Sequence, residues 1–259
     1  MPALTAIIIT KNEEKNIERC LISLQNIVEE IIVIDSFSTD KTKEICEGFG
    51  VKFIQQKWLG YSATKNLANT YATNDWMLSI DADEALSPEL KQSIISIKIQ
   101  LKIDNIYAFN RLVNYCGKWI KHCGWYPGIV PRIFHKNEWK WQGDFVHETL
   151  VQITNLKQKK SPIFLNGNLL HFSYYSIQEH KKKSAYYAKL AAQKITKKSY
   201  FSLAFKTIFS PIFRFLKMYL FQLGFLDGKF GFYLCLISGY EAFLRYSKAL
   251  SLKNNKNST

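Results

Sequence analysis

Asp81-Ala82-Asp83 places two carboxylates one residue apart, directly after the apolar run Trp76-Met77-Leu78-Ser79-Ile80. Met77, Leu78 and Ile80 read as a strand buried on both faces. Side chains alternate along a strand, so Asp81 and Asp83 leave its C-terminal end on the same side if strand geometry persists that far. Open α/β sheets bind ligands at that end. Two carboxylates converging there suit a divalent cation, and a hard cation that keeps open positions suits a diphosphate. The same acids also suit a solvated turn, with Pro88 opening the next helix, so the neighbouring elements have to decide.

Those elements alternate. Residues 4–9, 31–34, 51–54 and 76–80 read as buried strands. Helices lie between them: Ile17, Cys20, Leu21, Leu24 and Ile27 recur at helical spacing, Asp40 or Thr39 can cap a helix carrying Ile45 and Phe49, and residues 60–72 form a third. The β-α-β-α-β-α-β order calls for a doubly wound, mainly parallel sheet. Its strand ends bring Thr10-Lys11-Asn12-Glu13, Asp35 and the pair Asp81/Asp83 to one crevice, and Lys65 lies in the helix just before the fourth strand. Carboxylates there can accept the N–H groups of a nucleobase, and a lysine can reach a base carbonyl or a phosphate.

Beyond Asp83, a helix is expected over 88–101 and a strand over 106–113. Residues 115–150 hold Trp119, Trp125, Trp139 and Trp141 among glycines. They read as loops forming a binding wall for sugar rings, or as loops anchored by packed indoles. Short strands are expected over 150–153 and 164–172, then a helix over 177–197.

The composition, 47% hydrophobic and 22% charged residues, is that of a folded chain. Five cysteines without regular spacing argue against a secreted disulfide framework, and Cys116, His122 and Cys123 lack a fourth neighbour for zinc. The N-terminus enters a strand without a basic, cleavable leader, so a cytoplasmic location is the expectation. The net charge of +14 points to an anionic partner. It is concentrated: residues 181–226 contain no Asp or Glu, and Lys206, Ser210, Arg214 and Lys217 form one polar stripe on an apolar helix. That pattern reads as a helix on an anionic membrane surface, with a basic hairpin packed on protein as the alternative. Because the cations are embedded in Phe and Leu rather than in a polar recognition surface, no nucleic-acid partner is expected.

Ile7-Ile8-Ile9-Thr10-Lys11-Asn12-Glu13-Glu14, the segment from Val33 to Thr42 around Asp35, Gly60-Tyr61-Ser62-Ala63-Thr64-Lys65-Asn66-Leu67-Ala68 and Asp81-Ala82-Asp83 resemble the successive motifs of family 2 glycosyltransferases with the GT-A fold. Gly117-Lys118-Trp119-Ile120, Gly124-Trp125-Tyr126-Pro127, Arg132-Ile133-Phe134, Val146-His147-Glu148 and Leu226-Asp227-Gly228 narrow the resemblance. They are similar to the WaaE-like β-1,4-glucosyltransferases of the lipopolysaccharide inner core.

The resemblance implies a nucleotide-sugar donor, such as UDP-glucose, and a lipid-linked saccharide acceptor. It implies that Thr10, Asn12 and Glu13 line the nucleotide site, that Asp35 binds the base, that Lys65 makes a weaker contact where the family often has Arg, that Asp81 faces ribose or metal, and that Asp83 holds Mg²⁺ or Mn²⁺. An inverting transferase needs a carboxylate base on the acceptor side. Glu148 is the candidate, Asp144 the runner-up and Glu138 the third; a strand-edge carboxylate paired with Lys or Arg is the competing reading of Glu148. His171 is either a further metal ligand or a hydrogen-bonded strand residue. Trp125, Arg132 and Arg111 are candidates for the acceptor side, with bracing salt bridges the alternative for the two arginines. The expected organisation is a nucleotide-sugar-binding half over 1–113, an acceptor-binding and catalytic half over 114–175, and a basic, amphipathic helical tail over 176–259. The expected place is the inner face of the cytoplasmic membrane.

Overall fold

The computed structural model describes residues 1–143, 148–154, 161–197 and 199–257. They form two compact units. The first comprises Met1–Arg111 and Gly128–Phe172, the second Leu112–Pro127 and Ser173–Thr259. The stretch 114–175 thus divides between them.

The first unit is built on β1 (Leu4–Thr10), β2 (Glu30–Asp35), β3 (Lys52–Gln55) and β4 (Trp76–Asp81), which run parallel in the order β3-β2-β1-β4. Every residue of β1 is buried, as a strand covered on both faces requires. Leu4, Ala6 and Ile8 pack with Val33, Leu78 and Ile80 against α1 (Ile17–Leu24), α2 (Thr42–Gly48) and α4 (Pro88–Ile97). Ile7 and Ile9 face the other way, with Ile32, Ile34 and Met77, toward α3 (Tyr61–Tyr71). The alternation in sequence thus becomes two cores on opposite faces of one sheet. The N-cap of α2 is Lys41 rather than Asp40 or Thr39; Asp40, one residue before it, accepts the Thr42 N–H on Oδ1 at 3.0 Å.

Past β4 the sheet turns antiparallel. β5 (Glu84–Leu86), β6 (Tyr107–Tyr115), β8 (Gly128–His135) and β11 (Ile163–Tyr174) continue it in the order β4-β8-β6-β11-β5, with β7 (Lys118–Ile120) beside β6. β9 (Trp139–Gln142) and β10 (Thr149–Gln152) form a separate hairpin. Much of the region expected as loops is therefore strand. Trp139 and Trp141 belong to the second core rather than to an open binding wall. Gly167 adopts φ +100°, and a Cβ there would stand 2.3 Å from Leu90 N, so only glycine lets β11 pass the start of α4. The architecture is the expected α/β, GT-A-type sheet, with helices following it in the chain.

The second unit holds α5 (Ile177–Ile195), α6 (Tyr200–Leu216) and α7 (Gly228–Asn257). Between α6 and α7 the chain turns at Asp227, which is buried. Its carboxylate accepts the backbone N–H groups of Lys121 at 3.2 Å and His122 at 2.9 Å, and its Oδ1 lies 3.1 Å from His122 Nδ1. Asp227, from one segment of the narrower resemblance, thereby holds the backbone between two others, 117–120 and 124–127. Cys123 lies 3.6 Å from Cys235, Sγ to Sγ, and among the described residues no three Cys, His, Asp or Glu side chains form a metal site. Among the described residues no single helix is long and apolar enough to cross a membrane, though the pair 200–221 and 224–254, bent by 74°, meets that test together. Replacing Asp227 by alanine strands two backbone donors; urea denaturation should show a loss of about 1–3 kcal/mol, and an unchanged midpoint would remove Asp227 as the anchor of this turn.

Candidate active site

Register alone gathers the first residues of the site. Thr10 pairs with Asp35 across β1 and β2, and Ile9 pairs with Asp81 across β1 and β4. The ends of three adjacent parallel strands therefore meet at one edge, where a cavity of about 310 Å³ opens. Thr10, Lys11, Glu13, Asp81, Asp83 and His171 line its polar side, and Trp58 and Tyr61 its aromatic side. The two rings meet edge to face with centroids 4.8 Å apart.

Asp81 and Asp83 do not leave the strand together. β4 ends at Asp81, a turn follows, and β5 begins at Glu84. Both acids reach the cavity, but with different partners. Asp81 lies 3.2 Å from Lys65 Nζ and 2.9 Å from Arg132 Nη2. Arg132 Nη2 also donates to Glu84 Oε1 at 2.6 Å and Oε2 at 2.8 Å, and Glu84 Oε2 accepts the Asp81 N–H at 3.0 Å. Lys65, Arg132 and Glu84 are all buried. Burial by itself would raise the Asp81 carboxyl, but Arg132 and then Lys65 outweigh it and hold the group well below the usual carboxylate range.

Asp83 instead faces His171, Oδ2 to Nε2 at 3.1 Å, because His171 stands opposite Glu84 in the β5–β11 ladder. Two ligands at right angles on a metal with bonds of about 2.1 Å lie about 3 Å apart. An oxygen and an imidazole nitrogen at this spacing on the cavity wall therefore fit a Mg²⁺- or Mn²⁺-sized ion. Among the described residues no third ligand joins them, so an ion held there would take its remaining ligands from outside the protein. Thr10 Oγ1 is buried without a hydrogen-bond partner beside them, a donor that a ligand oxygen in the cavity would satisfy.

The other sequence candidates are placed differently. Asp35 is fully buried. It accepts the Ser38 N–H at 2.9 Å and the Ser38 hydroxyl, and Gln55 Nε2 at 3.4 Å. It shapes the β2–α2 loop behind the cavity wall. Asn12, at φ +56°, accepts the Thr39 N–H at 2.8 Å and pins the same loop. Lys65, expected to touch a base or phosphate, is instead an internal bridge. It lies 3.1 Å from Glu148 Oε1 as well as on Asp81, and its Nζ sits 4.7 Å from the centroid of the Trp141 ring. Glu148 does pair with a lysine, as the competing reading held, but with the lysine that also binds Asp81. Arg132 likewise takes the bracing role, and Arg111 stands 4.0 Å from Glu84, one-third exposed. Glu138 sits in the turn between β8 and β9. Asp144 lies outside the described residues. Trp125 belongs to the second unit, packed on Tyr115, Tyr174 and His180.

Sequence reasoning passed over Glu84, Trp58 and Tyr61 as site residues. For the first, a signal was present: Arg132 lies among Ile129, Val130, Ile133 and Phe134, and a charge inside a buried strand demands a partner.

The charge cluster makes a signed prediction. Arg132→Leu leaves Glu84 buried without its cation, which should cost about 3–5 kcal/mol at neutral pH. Arg132 is also the first of the two cations that depress Asp81, so the variant loses stability that Asp81 supplies at neutral pH and that fades only as pH falls below the ordinary carboxylate range. Adding Glu84→Gln should restore part of the loss. Denaturation midpoints at neutral pH measure this, and a double variant no more stable than Arg132→Leu would remove Glu84 as the source.

Residues 5–153 match the family model described as glycosyl transferase family 2. An uncharacterised glycosyltransferase of Rickettsia typhi is 32% identical over 98% of this chain and 89% of its own length. The lipopolysaccharide core biosynthesis glycosyltransferase LpsC of Rhizobium meliloti is 26% identical over 92% of this chain and 85% of its own. Glucosyl-3-phosphoglycerate synthase from Mycobacterium tuberculosis, solved with Mn²⁺, UDP and glucosyl-3-phosphoglycerate, aligns over 44% of each chain with a TM-score of 0.37 and 19% identity. With more than half of its length inside the family model and near-complete overlap with relatives named as glycosyltransferases, the chain belongs to glycosyl transferase family 2.

Proposed function

We propose that this glycosyltransferase is an inverting, metal-dependent hexosyltransferase. It would take a hexose from a nucleotide sugar of the UDP-glucose type to a lipid-linked saccharide such as lipopolysaccharide core. The observation that carries the reading is the cavity where Thr10, Asp81, Asp83 and His171 converge at the sheet edge. A divalent cation held by Asp83 and His171 would neutralise charge on the departing diphosphate.

Around that point each residue has a separate task. The Thr10 hydroxyl offers a donor to a ribose or phosphate oxygen. Trp58, half exposed on the cavity wall, offers an indole face to a base or sugar ring. Asp81 is neutralised by two cations, so it orients groups and adds little net charge to the donor site. Lys65 holds Glu148 through Oε1, and Glu148 Oε2 has no hydrogen-bond partner among the described residues. That second oxygen is the one available to take a proton from an acceptor hydroxyl. The hydroxyl oxygen then attacks the anomeric carbon in line with the departing nucleoside diphosphate, and an α-linked donor gives a β-linked product.

The relationship to LpsC supports a saccharide acceptor of the lipopolysaccharide core type. The second unit supports a lipid-linked one. Phe201, Ile208, Ile212, Phe213 and Phe221 are all exposed on it, Phe201 and Phe221 to about 80%. Large apolar side chains exposed in this number fit an interaction surface. With basic residues beside them, they fit the inner face of an anionic cytoplasmic membrane.

Titration calorimetry of UDP with Mn²⁺ and with EDTA tests the donor half. Binding should require the metal, fall below detection in Asp83→Ala and weaken in His171→Ala. Binding in EDTA equal to that in Mn²⁺ would overturn the metal assignment. Glu148→Gln should keep UDP binding while kcat falls by about 10²–10⁴-fold. A near-normal kcat in that variant would move the base to another carboxylate.

A further inference from the structure

The second unit contains its own cavity, of about 660 Å³. Two stripes of α6 line it side by side: Phe205, Phe209 and Phe213, and Lys206, Ser210, Arg214 and, one turn on, Lys217. Each stripe follows the helical repeat, displaced from the other by one residue. Ala242, Arg245 and Tyr246 of α7 face them. The volume is that of a small-molecule site.

The charges around this cavity are one-sided. Among the described residues Glu241, next to Ala242, pairs with Arg245 at 2.7 Å, and the buried Asp227, 3.8 Å from the lining Cys123 Sγ, is taken up by the N–H groups of Lys121 and His122. Lys206 Nζ lies 5.9 Å from the Tyr246 ring centroid. Arg214 and Lys217 have no ion-pair partner among the described residues, and residues 181–226 contain no Asp or Glu to supply one. Lys206 and Arg214 are half-buried, while Phe205, Phe209 and Phe213 are exposed. Partly desolvated cations attract an anion more strongly than surface lysines do, and an adjoining row of phenyl rings rewards an attached hydrocarbon.

We propose that this cavity binds one molecule of a phosphate-bearing amphiphile, its head on Arg214, Lys217 and Lys206 and its chain along Phe205, Phe209 and Phe213. The inference rests on the membrane-surface reading above and deepens it, from general adhesion to a defined lipid site. The pairing of the two stripes selects the occupant. A free phosphate would leave the phenyl row in water, and a neutral lipid would leave the cations without a counterion.

The test is calorimetric titration of the full chain with dihexanoyl phosphatidylglycerol below its micelle concentration, against dihexanoyl phosphatidylcholine and inorganic phosphate. Phosphatidylglycerol should saturate one site, with phosphatidylcholine and phosphate each at least about tenfold weaker. Arg214→Gln/Lys217→Gln should weaken phosphatidylglycerol at least about tenfold through loss of two charge-assisted contacts. Lys181→Gln/Lys182→Gln, away from the cavity, should not. Lys206→Gln serves in the same way if the double variant fails to fold by circular dichroism. Equal binding of phosphatidylcholine, phosphate binding as tight as phosphatidylglycerol, or an unchanged Arg214→Gln/Lys217→Gln variant would overturn the assignment. Sedimentation with phosphatidylglycerol vesicles separates the two levels. Vesicle binding without short-chain binding overturns the cavity and leaves the membrane reading standing; binding to neither overturns both.

Discussion

The first unit depends on how four charges share one buried spot. Lys65, Asp81, Arg132 and Glu84 come from a helix, the end of a parallel strand, an antiparallel strand and the first residue of a short edge strand. Removing any one leaves another uncompensated in a poorly solvated place, a costlier fault than the loss of a surface pair. Because Arg132 reaches Asp81 and Glu84 through the same nitrogen, the turn between β4 and β5 is held from both sides. That turn carries Asp83. The position of Asp83, which faces the cavity beside His171, is therefore fixed by three residues that need not touch a donor at all. Lys65 extends the cluster to Glu148, which ties the β9–β10 hairpin region to the same point.

This clarifies why the two acids of Asp81-Ala82-Asp83 are not equivalent. A carboxylate held between a lysine and an arginine has its field largely cancelled, and a cation in the cavity gains little from it. Asp83, opposite an imidazole, keeps its charge available. The local reason is backbone geometry. Had β4 continued for two more residues, both side chains would have emerged on one side. The turn at residues 82–83 sends them to different neighbours while leaving both on one cavity wall.

The parallel half of the sheet was legible because strands buried on both faces are written as short, almost wholly apolar runs, and three of these runs end in a polar residue at one edge of the sheet: Thr10, Asp35, Asp81. The antiparallel half was much less so. β5 has three residues and pairs with a strand some eighty positions later, and no local pattern encodes that distance. The tryptophans misled for a related reason. Trp139 and Trp141 alternate with polar residues in a strand of the hairpin, and their burial depends on α3 lying across them, a tertiary fact. The pairing of Lys65 with Asp81 and Glu148 was not legible, since a lysine's chemistry is visible in sequence and its reach is not.

In the second unit the sequence pattern was read correctly as a periodicity and incompletely as an orientation. A polar stripe on an apolar helix ordinarily turns toward water. Here Lys206, Ser210 and Arg214 are half-buried along a cavity shared with α7, while Phe205, Phe209, Ile212 and Phe213 are exposed. The inversion has a thermodynamic consequence. A helix pair in water gains by hiding phenyl rings against each other, so leaving them exposed while the cations are half-buried forgoes part of that gain. Asp227 makes that arrangement rigid, because one carboxylate anchors the turn between the helices to the backbone of residues 121 and 122. Gly124, at φ +71° and with its Cα against the Gln222 side chain, lets the same loop lie close to that turn.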